Sequence, residues 1–181
     1  MCMEDFAEDI RKGECLIYSF GVAKDLTFEE QLGAMGCKVY AHDPSVEYPK
    51  YVRKNVEFFQ IGVCEKERKL FGKPCKTLLD IIQSNGHLKT KITYLKVDIE
   101  GEEIRAIPQW LKSGAMVNVH QFGVEIHQKF KSISYMMKLM RDLQVEEHFR
   151  IINWQYNLFT RRDDLFEIVF KRIDLTFSCA A

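Results

Sequence analysis

Two pairs of ionisable residues stand where apolar runs end. Asp98 and Glu100 close the run in YLKVDIEGEE, and Glu125 and His127 close the run in FGVEIH. Each pair is spaced two apart, so in extended chain its members project from one side. An imidazole has its unperturbed pKa near neutrality, which makes His127 a candidate general base that Asp98 or Glu125 would orient. On the plainer reading His127 is a strand-end histidine and Glu125 half of a buried ion pair. Asp98 carries more weight, because an apolar strand end is a costly place for a charge without a task. The same four groups have the ligand chemistry of a divalent-cation site, although nothing in their spacing requires a metal.

A second constellation lies upstream. IYSFGVAKD (17–25) is an apolar run that enters a glycine turn, and a helix start, LTFEE, follows at once. A dinucleotide fingerprint has glycines at G-x-G-x-x-G, so that the pyrophosphate can approach the backbone. Laid from Gly21, this chain offers Gly21, Ala23 and Leu26, which disfavours a nicotinamide or flavin dinucleotide and an oxidoreductase built on one. Asp43, 22 positions after Gly21, ends the next apolar run, where an acid accepts hydrogen bonds from ribose hydroxyls. A ligand with adenosine but no pyrophosphate fits one glycine plus a ribose acid. S-adenosylmethionine is such a ligand, and N–H groups near the helix start would suit its carboxylate. In the alternative, Gly21 only turns the chain and Asp43 only caps the segment after it.

The elements that must position these residues follow from periodicity. CLIYSFGV (15–22), KVYAHD (38–43), VEFFQIGVC (56–64), ITYLKVDI (92–99) and NVHQFGVEIH (118–127) read as strands with helical patterns between them. Thr27 and Glu30 form a capping-box pattern, Phe28, Leu32 and Met35 one apolar face, and Gly36 a stop. KTLLDIIQSNG and EEIRAIPQWLKSG are further helices, the second expected to break or kink at Pro108. SISYMMKLMRDLQVEEHF puts Met136, Met137 and Met140 on a stripe best read as core filler. RIINWQYNLF (150–159) and LFEIVFKRI (165–173), joined by TRRDD, make a terminal antiparallel hairpin, with Trp154 and Tyr156 on one of its faces. A mostly parallel twisted sheet, flanked by helices and closed by a C-terminal hairpin, is the α/β arrangement of the Rossmann-like class I methyltransferase fold. The chain reads as one domain, 1–181, with 1–14 as an N-terminal extension.

A resemblance adds to this. YSFGVAKDLTFEE, GCKVYAHDPS, KTLLDIIQSNGH, YLKVDIEGEE and FGVEIH, in this order, resemble the animal methyltransferase-like family related to FkbM-type methyltransferases. The likeness is clear over 15–127 and looser over the hairpin. It implies an S-adenosylmethionine-dependent enzyme that methylates an oxygen of a small molecule or glycan. Carried onto this chain, it makes Gly21, Val22, Ala23 and Asp25 the cofactor turn, Asp43 with Pro44 the ribose corner, and Asp98 the acid facing the methyl group. Asp98, Glu125 and His127 then form the catalytic set. Such relatives commonly have Trp after the EG-x-E element, where this chain has Ile104 after Glu103, and they often carry a secretory or anchoring N-terminal region. A non-catalytic, cofactor-binding protein on the same fold is the alternative.

Composition excludes several classes. Lys plus Arg and Asp plus Glu both number 26, which gives no electrostatic case for nucleic acid or an anionic membrane. No segment approaches the roughly 18 apolar residues that span a bilayer. The acidic MCMEDFAEDIRKGE does not read as a secretory leader. The six cysteines show no Cys-x-x-Cys pairing, which disfavours zinc. Cys15, Cys37 and Cys64 sit in or beside apolar runs and read as buried thiols, and Cys2 with Cys15 would be a pair in a secreted protein.

Overall fold

A computed structural model describes residues 1–48, 54–127, 133–156 and 165–173. In chain order the elements are α1 (Met3–Lys12), β1 (Leu16–Phe20), α2 (Thr27–Met35), β2 (Lys38–His42), β3 (Val56–Phe59), β4 (Gly62–Val63), β5 (Arg68–Leu70), β6 (Lys73–Lys76), α3 (Leu78–Ser84), β7 (Ile92–Val97), α4 (Glu103–Ser113), β8 (Val119–His127), α5 (Ile133–Arg141), β9 (Phe149–Tyr156) and β10 (Leu165–Arg172). A π-helical turn, Asp142–Glu146, extends α5.

Seven strands form one sheet in the order β3-β2-β1-β7-β8-β10-β9, all running the same way except β10, which is antiparallel to both of its neighbours. Going outward from β1, the chain first builds one half of the sheet and then returns to build the other from β7. The order therefore reverses between β1 and β7, which opens a crevice at their carboxyl ends. Every residue of β1 is buried, as expected of a central parallel strand covered on both faces. One face packs Phe6, Ile17, Leu32, Val39 and Ala41 under α1 and α2. The other packs Tyr18, Phe20, Leu95, Ile107, Trp110, Phe122 and Phe170 under α3, α4 and α5.

The first fourteen residues hold α1 against this sheet. Phe6 is fully buried, and buried Asp9 accepts from Lys91 Nζ at 2.9 Å and Thr93 Oγ1 at 2.7 Å. At α2 the capping-box expectation is corrected: Leu26 is the N-cap, and Asp25 Oδ1 accepts from the Thr27 N–H at 2.8 Å. Pro108 does not break α4. Proline removes the bond to the carbonyl four residues back, and the Tyr135 hydroxyl donates to that carbonyl, of Ile104, instead. The methionine stripe is also corrected. Met136 and Met140 pack on the core with buried Leu139 and Leu143, while Met137 is 67% exposed. Trp154 is exposed on the edge strand β9; Asn157 and the TRRDD link lie outside the described residues.

The run at 56–64 is not one strand. It splits after Phe59, and β4 joins β5 and β6 in a separate three-stranded sheet, order β4-β6-β5. The buried-thiol expectation is overturned too. Cys15 bonds to Cys37, across the starts of β1 and β2, and Cys64 bonds to Cys75, across β4 and β6. Cys2 is a free thiol, not a partner of Cys15. Parallel β1 and β2 pair from Leu16 and Lys38, which brings the preceding cysteines side by side. Closing a loop of this length stabilises by about 3 kcal/mol in chain-entropy terms. Replacing both Cys15 and Cys37 by alanine is expected to lower the free energy of urea unfolding by that amount, and an unchanged midpoint would show the pair to be reduced in solution.

Candidate functional site

The crevice between β1 and β7 is set by a backbone contact. Gly21, the first residue past β1, has φ +78°, and a Cβ there would lie 1.5 Å from the Asp98 carbonyl oxygen. Asp98 N–H donates to the Phe20 carbonyl at 3.0 Å and Gly21 N–H to the His42 carbonyl at 2.9 Å. Only glycine permits this approach. Gly21→Ala is expected to cost about 2–3 kcal/mol of stability and to splay the crevice; a variant with wild-type unfolding would refute the contact.

A cleft of about 200 Å³ opens here. Gly21, Asp43, Pro44 and Asp98 line it, as do His42, Phe20 and Ile99, and the small sheet closes it with Gly62, Val63, Leu70 and Phe71. Arg68, on β5, pairs with Glu102 at the start of α4, pinning the small sheet across the crevice. The other expected turn residues lie off this wall. Val22 is buried in the core under α2, and exposed Asp25 serves Thr27, whose side chain and N–H hold its carboxyl below the usual range. Ala23 donates its N–H to Asp43 Oδ2 at 2.9 Å, while Asp43 Oδ1 accepts from Ser45 N and Oγ at 2.7 and 2.6 Å. The N–H groups of Ala23 and Thr27, expected for a ligand carboxylate, are thus used by the chain itself. Three donors thus leave Asp43 about one of its four lone-pair sites.

Asp98 also borders a second cleft, of about 210 Å³, on the α2 side of the sheet. Phe28, Tyr94, Lys96, Glu125, Glu167 and Val169 line it, and Gly123 leaves the space for the Tyr94 hydroxyl, which a Cβ would meet at 1.9 Å. Burial, a hydrogen bond with Glu125 and the Glu125 charge push the Asp98 carboxyl up to about 7, against the pull of Lys96 and His127.

His127 is brought close to these carboxylates, with Nε2 3.9 Å from Glu125 and 3.5 Å from Glu100. It borders neither cleft, and its side chain is 2% exposed. Its orienting partner is neither Asp98 nor Glu125. Glu103, fully buried at the start of α4, accepts from His127 Nδ1 at 2.9 Å and His127 N at 2.7 Å, and from Gly101 N at 2.9 Å. Burial opposes the imidazolium, but the Glu103 hydrogen bond and the surrounding carboxylates outweigh it and raise the His127 pKa. The ring expected as a general base thus lies shielded behind the carboxylates, which favour its protonated form. Glu100 has left-handed φ, +57°, and an 80% exposed side chain. One ligand atom from each of Asp98, Glu125 and His127 lies within 4.8 Å of the others, close enough to share a cation.

A family model described as a methyltransferase domain matches residues 5–168. The chain belongs to this family. Human methyltransferase-like protein 24 is 28% identical over 139 residues, covering 70% of this chain and 37% of the relative; the rat protein is 27% identical over the same length. The chain thus spans well under half the length of these relatives. Among solved structures, the bifunctional kinase-methyltransferase WbdD superposes with a TM-score of 0.56 at 9% identity, over 94% of this chain and 38% of that one. A Streptococcus mutans protein in complex with SAH superposes with a TM-score of 0.51 at 12% identity, over 93% of each chain. The fold is the Rossmann-like methyltransferase fold, here with its sheet reversal at Gly21 and Asp98.

Three features beside the clefts are not legible in the sequence. Glu103 lies within EGEE, a run whose composition suggests solvent, and only its place at the first turn of a helix hints at a buried partner. The small sheet is built from strands too short for periodicity to register. His42 precedes Asp43 in an apolar strand and is indistinguishable there from a core aromatic.

Proposed function

We propose that the chain is an S-adenosylmethionine-dependent methyltransferase that acts on an oxygen of a small molecule or glycan. The observation that carries this reading is the meeting of two clefts at Asp98, at the carboxyl ends of β1, β2 and β7. Gly21, Asp43, Pro44 and the apolar Val63, Leu70, Phe71 and Ile99 would hold the adenosyl part, and Asp43 retains an acceptor site for a ribose hydroxyl. The cofactor supplies an activated methyl group on a sulfonium, so the protein has mainly to bind, align and exclude water. Asp98 complements the sulfonium charge from the wall that both clefts share. Glu125 lines the acceptor side and takes the hydroxyl proton as oxygen attacks. His127 and Glu103 hold Glu125 and the loop after β7 in place.

Calorimetric titration with S-adenosylmethionine, S-adenosylhomocysteine and NAD tests the cofactor. Binding of the first two without the third is expected; NAD binding alone would overturn the reading in favour of an oxidoreductase. Release of S-adenosylhomocysteine across a panel of glycans and hydroxylated small molecules then tests turnover. The turn's own use of Ala23, Asp43 and Thr27 favours one other reading, a cofactor-binding protein without turnover, and silence across the panel with cofactor bound is its signature.

A further inference from the structure

The second cleft carries a charge arrangement that the fold does not require. Glu125 on β8 and Glu167 on β10 stand directly opposite each other in their antiparallel pair. Val97 lies beside Val124 in the parallel pair, so Asp98 follows beside Glu125. Three carboxylates therefore cross three neighbouring strands, and all three line the cleft. Like charges opposite each other destabilise a sheet. Lys96 lines the cleft too, but its Nζ donates to the Gly21 carbonyl at 3.0 Å and its charge bears on Asp98. Glu167 accepts from Gln155 Nε2 at 2.6 Å with one oxygen, and no Lys, Arg or His among the described residues pairs with it. The cleft floor adds an independent feature. Tyr94 is 7% exposed, and its hydroxyl has no hydrogen-bond partner among the described residues. That hydroxyl lies over Gly123, which is itself part of the cleft lining. A phenylalanine would fill the core equally and leave no hydroxyl unmet. Burial and the nearby Glu167 charge push its pKa up to about 12, so it keeps its proton. Phe28 lines the same cleft and packs tilted on Tyr94, with ring centroids 6.4 Å apart. A carboxylate without a counter-ion, an unmet hydroxyl and aromatic rings together recognise an ammonium group.

We infer that the second cleft binds an acceptor with a primary ammonium group beside its hydroxyl, an amino sugar or amino alcohol, and that Glu167 and the Tyr94 hydroxyl hold the ammonium; the inference rests on the methyltransferase reading above. A protonated amine has no lone pair, so the hydroxyl oxygen receives the methyl group and its proton goes to Glu125. NMR titration with S-adenosylhomocysteine bound tests this, using glucosamine, ethanolamine and tyramine, each beside its N-acetyl partner. Free amines are expected to bind wild type about tenfold or more tightly than their neutral partners. Glu167→Gln should remove most of that preference. It should also unfold in urea no earlier than wild type, because the like-charge opposition with Glu125 is relieved, which separates lost recognition from lost folding. Tyr94→Phe should weaken amine binding by about threefold. Amines that bind no better than their N-acetyl partners, or a preference that survives Glu167→Gln, overturn the inference alone. A preference seen only with added magnesium or manganese, and lost in EDTA, gives the carboxylates to a metal ion and overturns it as well. Wild type that fails to bind S-adenosylhomocysteine overturns the methyltransferase reading, and the inference with it.

Discussion

Glu125→Gln is expected to slow methyl transfer by about 10²–10⁴-fold while cofactor affinity stays within about threefold of wild type. Glutamine keeps the length of the side chain and its place on the second cleft but cannot take a proton from the acceptor. His127→Ala is the informative contrast, because His127 touches neither cleft. Its removal takes the ring bond and the counter-charge from fully buried Glu103, which keeps only the backbone N–H groups of Gly101 and residue 127, and leaving one member of a buried ion pair costs about 3–5 kcal/mol. That variant should unfold at lower denaturant, with His127→Gln partly restoring the bond. Single-turnover release of S-adenosylhomocysteine on an acceptor from the panel, beside urea unfolding, reads both. A full rate in Glu125→Gln would remove Glu125 from the proton path, and a stable but slow His127→Ala would return the base to the histidine.

Local pattern revealed the large sheet and hid much of its trim. β1 and β2 are apolar runs bounded by turns, and the terminal hairpin alternates, so periodicity alone places them. Asp98 and Glu125 drew notice because an acid after such a run is anomalous, and the structure places both on the wall of the second cleft. What failed depends on contacts distant in sequence. Pro108 is tolerated only because Tyr135, 27 residues on, covers the Ile104 carbonyl. Cys15 and Cys37 pair because two parallel strands start side by side, which no spacing rule states. β4, β5 and β6 offer two to four residues each, with Pro74 among them, and so give no readable period. The surroundings of His127 were hidden for a related reason. Its residue type suggests catalysis, but its accessibility is decided by Glu103 and the start of α4.

Asp98→Asn is expected to raise stability above neutrality and to abolish the preference for a cationic cofactor. In the folded chain the Asp98 carboxyl is pushed up to about 7, first by burial and then by its hydrogen bond with Glu125 and that group's charge. A raised carboxyl pKa gives stability that is fully present below the unfolded value, near pH 4, and is lost as pH rises through 7. The penalty therefore grows as pH rises from about 4 and is fully present by about pH 8. Asparagine can keep a hydrogen bond to Glu125 without the charge, so the variant should match wild type in urea unfolding near pH 4 and exceed it at pH 8. Binding should respond in the opposite sense. The sulfonium of S-adenosylmethionine favours ionised Asp98, so wild-type affinity for it should rise with pH through 7, with proton release detectable by calorimetry in buffers of different ionisation enthalpy. S-adenosylhomocysteine has no such charge and should show little of this dependence. In Asp98→Asn, S-adenosylmethionine should bind about tenfold or more weakly at pH 8, as expected for the loss of an opposite charge, with S-adenosylhomocysteine nearly unchanged. A variant that is stabilised at pH 8 yet keeps wild-type discrimination between the two would leave Asp98 a strained carboxyl beside the cleft, with no part in holding the methyl donor.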